Sequence, residues 1–323
     1  MMKVTNLGKT GMKVSEICLG TMQFGWSTDE EQSHKIMDKA LDAGINFWDT
    51  ANVYSRWSDK SYAGKTDEIM GRWFKKTGNR DQIILATKVR GMMGDKPNDQ
   101  GLSRRHIRQQ IDASLKRLQT KWVDLYQTHR EDSTVEIEET LSVLNDLVRE
   151  GKINNIGASN YSAWRLTEAH WVAEKLGLQP YLTFQPYYNI VDRKPFEEER
   201  QLVCEKYGLA VIPYSPLAAG FLSGKYTKDG SLPQSERANG VKSRFMNEKG
   251  FAVLDAVTTI ASNHGVGPIQ VSLAWILKQK TITAPIIGAT SVTQLEEIIK
   301  TSEVNLTQED LKKLNEVSEW REN

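Results

Sequence analysis

A chain of 323 residues is long enough for two ordinary domains or for one α/β barrel, and its 39% apolar and 26% charged residues are the mix of a folded globular protein, which excludes fibrous and disordered classes. Its 42 basic and 41 acidic residues leave a net charge of +1, so no overall field draws it to nucleic acid or to an anionic membrane. Cys18 and Cys204 lie in neither metal-binding nor CxxC spacing, the amino-terminal segment lacks the apolar core of a signal peptide, and no run approaches the roughly 18 apolar residues of a membrane span; the expectation is a soluble cytoplasmic protein with reduced thiols.

From Val4 the chain reads "VTNLGKTGMKVSE", a hairpin with "KTGM" as its turn. Eight short apolar runs follow: "ICLGTM" from Ile17, "INFWDT" from Ile45, "IILATK" from Ile83, "VDLYQTH" from Val123, "INNIGAS" from Ile153, "YLTFQPY" from Tyr181, "LAVIPYS" from Leu209 and "ITAPIIG" from Ile282. Amphipathic segments separate them. Ser27 with Glu30 forms a capping-box pattern before a helix ending at Gly44, and Ser133 with Glu136 does so before one ending at Gly151. The basic run "SRRHIRQQ" from Ser103 has helical spacing and reads as a solvated face. Strand–helix alternation predicts right-handed βαβ units and a parallel sheet, and eight near-continuous apolar strands predict a closed (β/α)8 barrel forming one domain over 1–323, with the hairpin capping its bottom. No Pro-, Gly- or Ser-rich linker divides the chain; the irregular piece Leu222 to Gly250, after the seventh strand, is expected to be a functional loop.

A barrel carries its site at the C-terminal ends of its strands. There the sequence places Asp49, Lys88, His129, Ser159 with Asn160, Gln185 and Tyr214, polar groups on six consecutive strands. Lys88 is the cation that Asp49, at the end of an apolar run, needs as a partner; taken alone, the pair reads first as a structural ion pair. Tyr54, five residues after Asp49, changes the reading: a neighbouring ammonium favours the phenolate and makes the phenol a better proton donor. His129 is suited to orienting a carbonyl oxygen or relaying a proton. Together the four can protonate an oxygen while hydride reaches its carbon, and since no side chain supplies hydride, a nicotinamide cofactor is implied. A metal-dependent hydrolase or isomerase would need clustered His and carboxylate ligands, and of five histidines only His129 stands at a strand end, so no metal is expected.

The ordered series "GINFWDTANVY", "TDEIMG", "ATK", "LYQTHR", "IGASN", "FQPYYN", "YSPLAAGFLSGKY" and "IIGATSVTQLEE" resembles the aldo-keto reductase family over essentially the full length, and within it the bacterial and potassium-channel β-subunit-like branch. The resemblance implies a (β/α)8 barrel that binds NADP(H), in preference to NAD(H), without a Rossmann domain, and that reduces small aldehydes, ketones or sugar-derived carbonyls. It makes Tyr54 the general acid, Asp49 and Lys88 its supporting pair and His129 the oxygen-orienting group. It places Ser159, Asn160 and Gln185 on the nicotinamide carboxamide, Tyr214 under the ring, and Ser215, Leu217, Gly220, Lys225 and Arg237 around the pyrophosphate and adenosine side, where Lys225 and Arg237 also read as solvated charges. Gly288, Thr290, Gln294 and Glu297 match the adenosine end, beside a helix N-terminus, although Ser291 and Gln294 also form a capping-box pattern. Gln294 stands where the better-known branch has a phosphate-binding Arg, and Ile298 where it has an adenine-contacting Asn; Lys225 or Arg237 would then supply the charge. Trp26 and Trp57 are candidate substrate-pocket walls or simple packing. A cofactor-binding regulatory subunit with little turnover is the alternative reading, and nothing in the chain sets an oligomeric state.

Overall fold

Strands buried on both faces must be apolar along their whole length, and each of the eight apolar runs becomes a strand of one parallel sheet. A computed structural model describes residues 2–58, 61–230, 232–233 and 238–321. The hairpin strands β1 (Val4–Asn6) and β2 (Lys13–Ser15) precede the sheet strands β3 (Cys18–Gly20), β4 (Phe47–Asp49), β5 (Ile84–Val89), β6 (Val123–Thr128), β7 (Ile153–Ser159), β8 (Thr183–Gln185), β9 (Ala210–Val211) and β10 (Ile286–Ile287). Neighbours pair in sequence order from β3 to β9, and β10 pairs with β3. The ring is completed where Thr283 N donates to Val211 O (2.8 Å) and Ile286 N to Pro213 O (2.8 Å), giving the expected (β/α)8 barrel.

Helices α1 (Glu30–Asp42), α2 (Lys65–Thr77), α3 (Arg104–Leu118), α4 (Ile137–Arg149) and α5 (Ala163–Leu176) each return the chain to the next strand. Helices α6 (Lys194–Glu197) and α7 (Arg200–Tyr207) connect β8 to β9. Then α8 (Ala238–Phe245), α9 (Glu248–His264) and α10 (Pro268–Leu277) lie between β9 and β10, and α11 (Val292–Ile299) and α12 (Gln308–Val317) close the chain.

Side chains alternate along a strand, and that period divides the core in two. Trp48, Leu85, Tyr126, Phe184 and Val211 face the helices. Cys18, Phe47, Ala86, Leu125, Ala210 and Ile286 form an inner cluster, joined by Leu7 and Val14 of the hairpin. The hairpin therefore plugs the barrel's N-terminal end, as the sequence predicts. Its connection is wider than "KTGM": it runs from Leu7 to Met12, with Thr10 Oγ1 donating to Leu7 O and positive φ at Gly8 and Gly11. No helix among the described residues is long and apolar enough to cross a membrane.

Several local expectations are corrected. Asp29, not Ser27, caps α1 by accepting from Gln32 N (2.8 Å). Glu136 occupies the cap position of α4 and makes no side-chain cap bond, so Ser133 caps nothing there. The segment Leu222 to Gly250 is not irregular throughout: it holds α8 and the first turn of α9. The basic face of α3 is solvated, as expected, with Arg104 and Arg105 exposed; it also makes surface ion pairs, Arg104 with Asp146 (2.6 Å) and Arg108 with Glu150 (2.7 Å).

Candidate active site

The parity that points Phe47, Ala86, Leu125, Gly157, Thr183 and Ala210 inward carries on up each strand to Asp49, Lys88, Gln127, Ser159, Gln185 and, past the end of β9, Tyr214. An apolar lower layer thus becomes a polar layer at the C-terminal rim. Asp49 and Lys88, on adjacent strands, are both buried and form an ion pair of 2.5 Å. Lys88 Nζ also donates to Thr50 O (2.9 Å) and to the Tyr54 hydroxyl (2.9 Å), which engages all three of its N–H bonds. Because the lysine donates to the phenolic oxygen, the tyrosine's own proton remains available to a third group. The second carboxylate oxygen of Asp49 accepts from Gln127 Nε2 (3.2 Å) and Gln185 Nε2 (3.0 Å).

The electrostatics correct one expectation. Burial pushes the Tyr54 hydroxyl up to about 12, Lys88 pulls against it and Asp49 adds to it; burial outweighs the ammonium, so the phenol is protonated at neutral pH. For Lys88, burial disfavours the charge, but Asp49 and Tyr54 together raise its pKa above the usual lysine value, and it stays an ammonium. His129 is driven down to about 3 by enclosure and by the charges of Lys88, Arg130 and Arg90, so its ring is neutral. Its ring centre lies 6.1 Å from that of Tyr54.

Asn160, at φ 55°, ties the neighbouring wall together: its amide donates to His129 O (3.0 Å) and Ser159 Oγ (3.0 Å), and its oxygen accepts from the Tyr214 hydroxyl (2.8 Å). Ser159 is buried and donates to Gln185 O (2.9 Å). Among the described residues it does not line the cleft that the others share.

That cleft has a volume of about 990 Å³. Tyr54, His129, Asp49, Trp26 and Trp57 line one part, the two indoles packing edge to face at 5.6 Å with Trp57 5.9 Å from the Tyr54 ring. The lining continues past Asn160, Gln185 and Tyr214 along the turn holding Ser215, Leu217, Gly220 and Lys225. It ends at Gly288, Thr290, Gln294, Glu297 and Ile298 around the start of α11. Gln294 is committed locally: its N–H donates to Ser291 Oγ (3.1 Å), and its Oε1 accepts from the backbone N–H and the hydroxyl of Thr290 (2.9 Å each). The capping reading of Ser291 and Gln294 holds, with the return bond one residue before the cap. Arg237 lies outside the described residues.

Three residues near the catalytic candidates went unnoticed in the sequence. Gln127 braces Asp49, and Arg90 and Arg130 line the cleft. Gln127 stands two residues before His129 and Arg90 two after Lys88, so inward parity alone would have flagged both. Among the described residues no three His, Cys, Asp or Glu side chains come together as a metal site, and Cys18 and Cys204 are free and buried.

Residues 16–319 match the family model for the aldo/keto reductase family. The chain is 40% identical over 321 residues to the oxidoreductase YrpG of Bacillus subtilis (strain 168), covering 98% of this chain and 96% of that protein. It is 34% identical to a probable voltage-gated potassium channel subunit beta of Oryza sativa subsp. japonica, over 94% of this chain and 92% of that one. To the versiconal hemiacetal acetate reductase of Aspergillus parasiticus it is 33% identical, over 98% and 96% of the two chains. A (β/α)8 barrel with these relatives and a full-length family match belongs to the aldo/keto reductase family.

Proposed function

We propose that the protein is an NADPH-dependent reductase of small aldehydes and ketones in which Tyr54 is the general acid. The observation that carries this reading is the chain Asp49–Lys88–Tyr54 at the floor of the cleft, beside the neutral ring of His129. A substrate carbonyl oxygen received between the Tyr54 hydroxyl and His129 meets one proton donor and one neutral hydrogen-bonding ring. An alkoxide is a stronger base than a phenolate, so the Tyr54 proton passes to the developing alkoxide even from a pKa of about 12. Lys88 then lies 2.9 Å from the phenolate oxygen and stabilises its charge, while Asp49, held by two glutamine amides, fixes Lys88 in that position.

The residues fit a nicotinamide dinucleotide. The cleft is at the upper end of small-molecule sites, which supports a ligand longer than the carbonyl substrate. Tyr214 offers a ring face on its wall, anchored through Asn160 to His129, and Lys225 adds a cation beside the turn after β9. When bound, such a cofactor supplies the hydride that the carbonyl carbon accepts.

The test is titration of the purified protein with NADPH and with NADH, followed by Trp fluorescence, and then addition of an aldehyde with absorbance at 340 nm as the readout. Tight NADPH binding with aldehyde-dependent oxidation is expected. Binding without oxidation of any carbonyl tried would replace this reading with that of a regulatory subunit, which the channel-subunit relative in rice favours.

A further inference from the structure

The end of the cleft that holds Tyr54 and His129 carries two guanidinium groups with no carboxylate in ion-pair contact; the charge of Arg90 acts on Asp132 only at longer range. Arg90 follows β5 directly and Arg130 follows His129; both line the cleft, and neither has an ion pair or side-chain hydrogen bond among the described residues. Several other arginines pair with carboxylates, Arg72 with Glu30, Arg117 with Asp67 and Arg193 with Glu197. The acids nearest in sequence to Arg130 are already engaged. Glu131 accepts from the N–H and hydroxyl of Ser162, and Asp132 accepts from Leu102 N and from the N–H and hydroxyl of Thr134.

Two further facts set Arg90 apart. Its Nε is buried without a hydrogen-bond partner, a costly condition for a charged donor. Its backbone is held at φ 127°, a region that favours glycine, so the chain sustains strain to keep an arginine at this point of the rim. The other charges of this end cancel or vanish, since Lys88 is paired with Asp49 and His129 is neutral. What remains is a positive field focused in a partly enclosed cleft with two aromatic walls, Trp26 and Trp57.

We propose that Arg90 and Arg130 form an anion-receiving subsite, and that the preferred substrate is a short aldehyde or ketone carrying a carboxylate or phosphate a few bonds from its carbonyl. The guanidinium fork accepts either group bidentately, and Arg90 Nε gains the acceptor it lacks. The inference rests on the reductase reading and names the substrate class for the same site. The two electrons and the two protons balance as in any carbonyl reduction: hydride from the dihydronicotinamide reaches the carbonyl carbon, the Tyr54 proton reaches its oxygen, and the anion is a spectator held at the rim.

The experiment compares kcat/KM of the full chain for 4-oxobutanoate and its neutral methyl ester, and for glyceraldehyde 3-phosphate and glyceraldehyde, with NADPH. The expected result is a preference for the charged member of at least one pair of tenfold or more, which identifies carboxylate or phosphate as the group recognised. Arg130→Gln, at an exposed position, and Arg90→Gln should each lower the charged-to-neutral ratio about tenfold. Ratios near one in the wild type, or ratios unmoved in both variants, would overturn the subsite while leaving the reductase reading intact. If no carbonyl is reduced, that reading fails by itself, and calorimetric binding of 4-hydroxybutanoate against 1,4-butanediol, with NADP+ present, still decides the anion subsite. Tenfold weaker carboxylate binding in Arg130→Gln supports it, and equal binding of the two compounds rejects it.

Discussion

In the proposed reaction Tyr54 and Lys88 have opposite tasks, and their charged neighbours separate them. Both are enclosed, but Lys88 has a carboxylate on one side and a phenol on the other and keeps its charge, whereas Tyr54 has no group strong enough to make it ionise. Tyr54→Phe is therefore expected to retain NADPH affinity and to lower kcat for carbonyl reduction by about 10²–10⁴-fold, the range for loss of a general acid; single-turnover kinetics check this, and unchanged turnover would remove Tyr54 from the role. Lys225 is an exposed cation on the cleft, and Gln294 is occupied by Thr290 and Ser291, so charge recognition at that end should fall on the lysine among the described residues. Lys225→Ala should weaken NADPH binding about tenfold and NADH binding far less. Equal losses for the two nucleotides would exclude a phosphate contact.

At the scale of elements, close approach decides more than composition. Helices α2 and α3 meet at Gly71, where an added Cβ would come within 2.0 Å of Arg117 O. Gly71→Ala must separate the helices or displace the backbone, and an overpacking cost of about 1–3 kcal/mol is expected, read from the denaturation midpoint. Between α5 and α7, His170 stacks on Tyr207 with ring centres 4.1 Å apart and planes 9° from parallel. Burial, with a lesser push from Lys9, drives His170 down to about 4, and His129 is driven to about 3. Both are depressed below their unfolded value near 6.5, so the unfolded chain binds more protons between these limits. The stability they contribute is present above about pH 6.5 and is lost as pH falls toward 4 and 3. His170→Phe keeps a stacked ring without the titration, and its Tm should fall less than the wild type's between pH 7 and pH 4.5; parallel curves would contradict this.

At the scale of the whole molecule, the barrel is closed at one end by the hairpin and open at the other to the cleft. Leu7 is fully buried among Val14, Phe47, Ala86 and Leu125, far along the strands from Tyr54. Leu7→Ala should open a cavity costing about 2–5 kcal/mol while leaving the NADPH dissociation constant nearly unchanged. A large loss of nucleotide affinity would mean that the plug and the cleft are coupled.

The eight strands and the polar layer at their ends were legible because a parallel barrel imposes a long-range pattern on local sequence: continuous apolar runs, with polar groups only where the strands leave the core. Hence Asp49, Lys88, His129, Gln185 and Tyr214 could be placed at one rim without coordinates. Helix caps were less legible, since Ser27 and Asp29 both have suitable side chains and only the backbone turn selects Asp29. The upward direction of the Tyr54 shift was beyond the sequence, because it depends on how much water burial removes relative to one ammonium at 2.9 Å, a balance of distances in three dimensions. The same holds for Arg90 and Arg130. A basic residue in a sequence carries no mark of whether a carboxylate will reach it, and only the packing of the rim leaves these two unpaired beside the proposed acid.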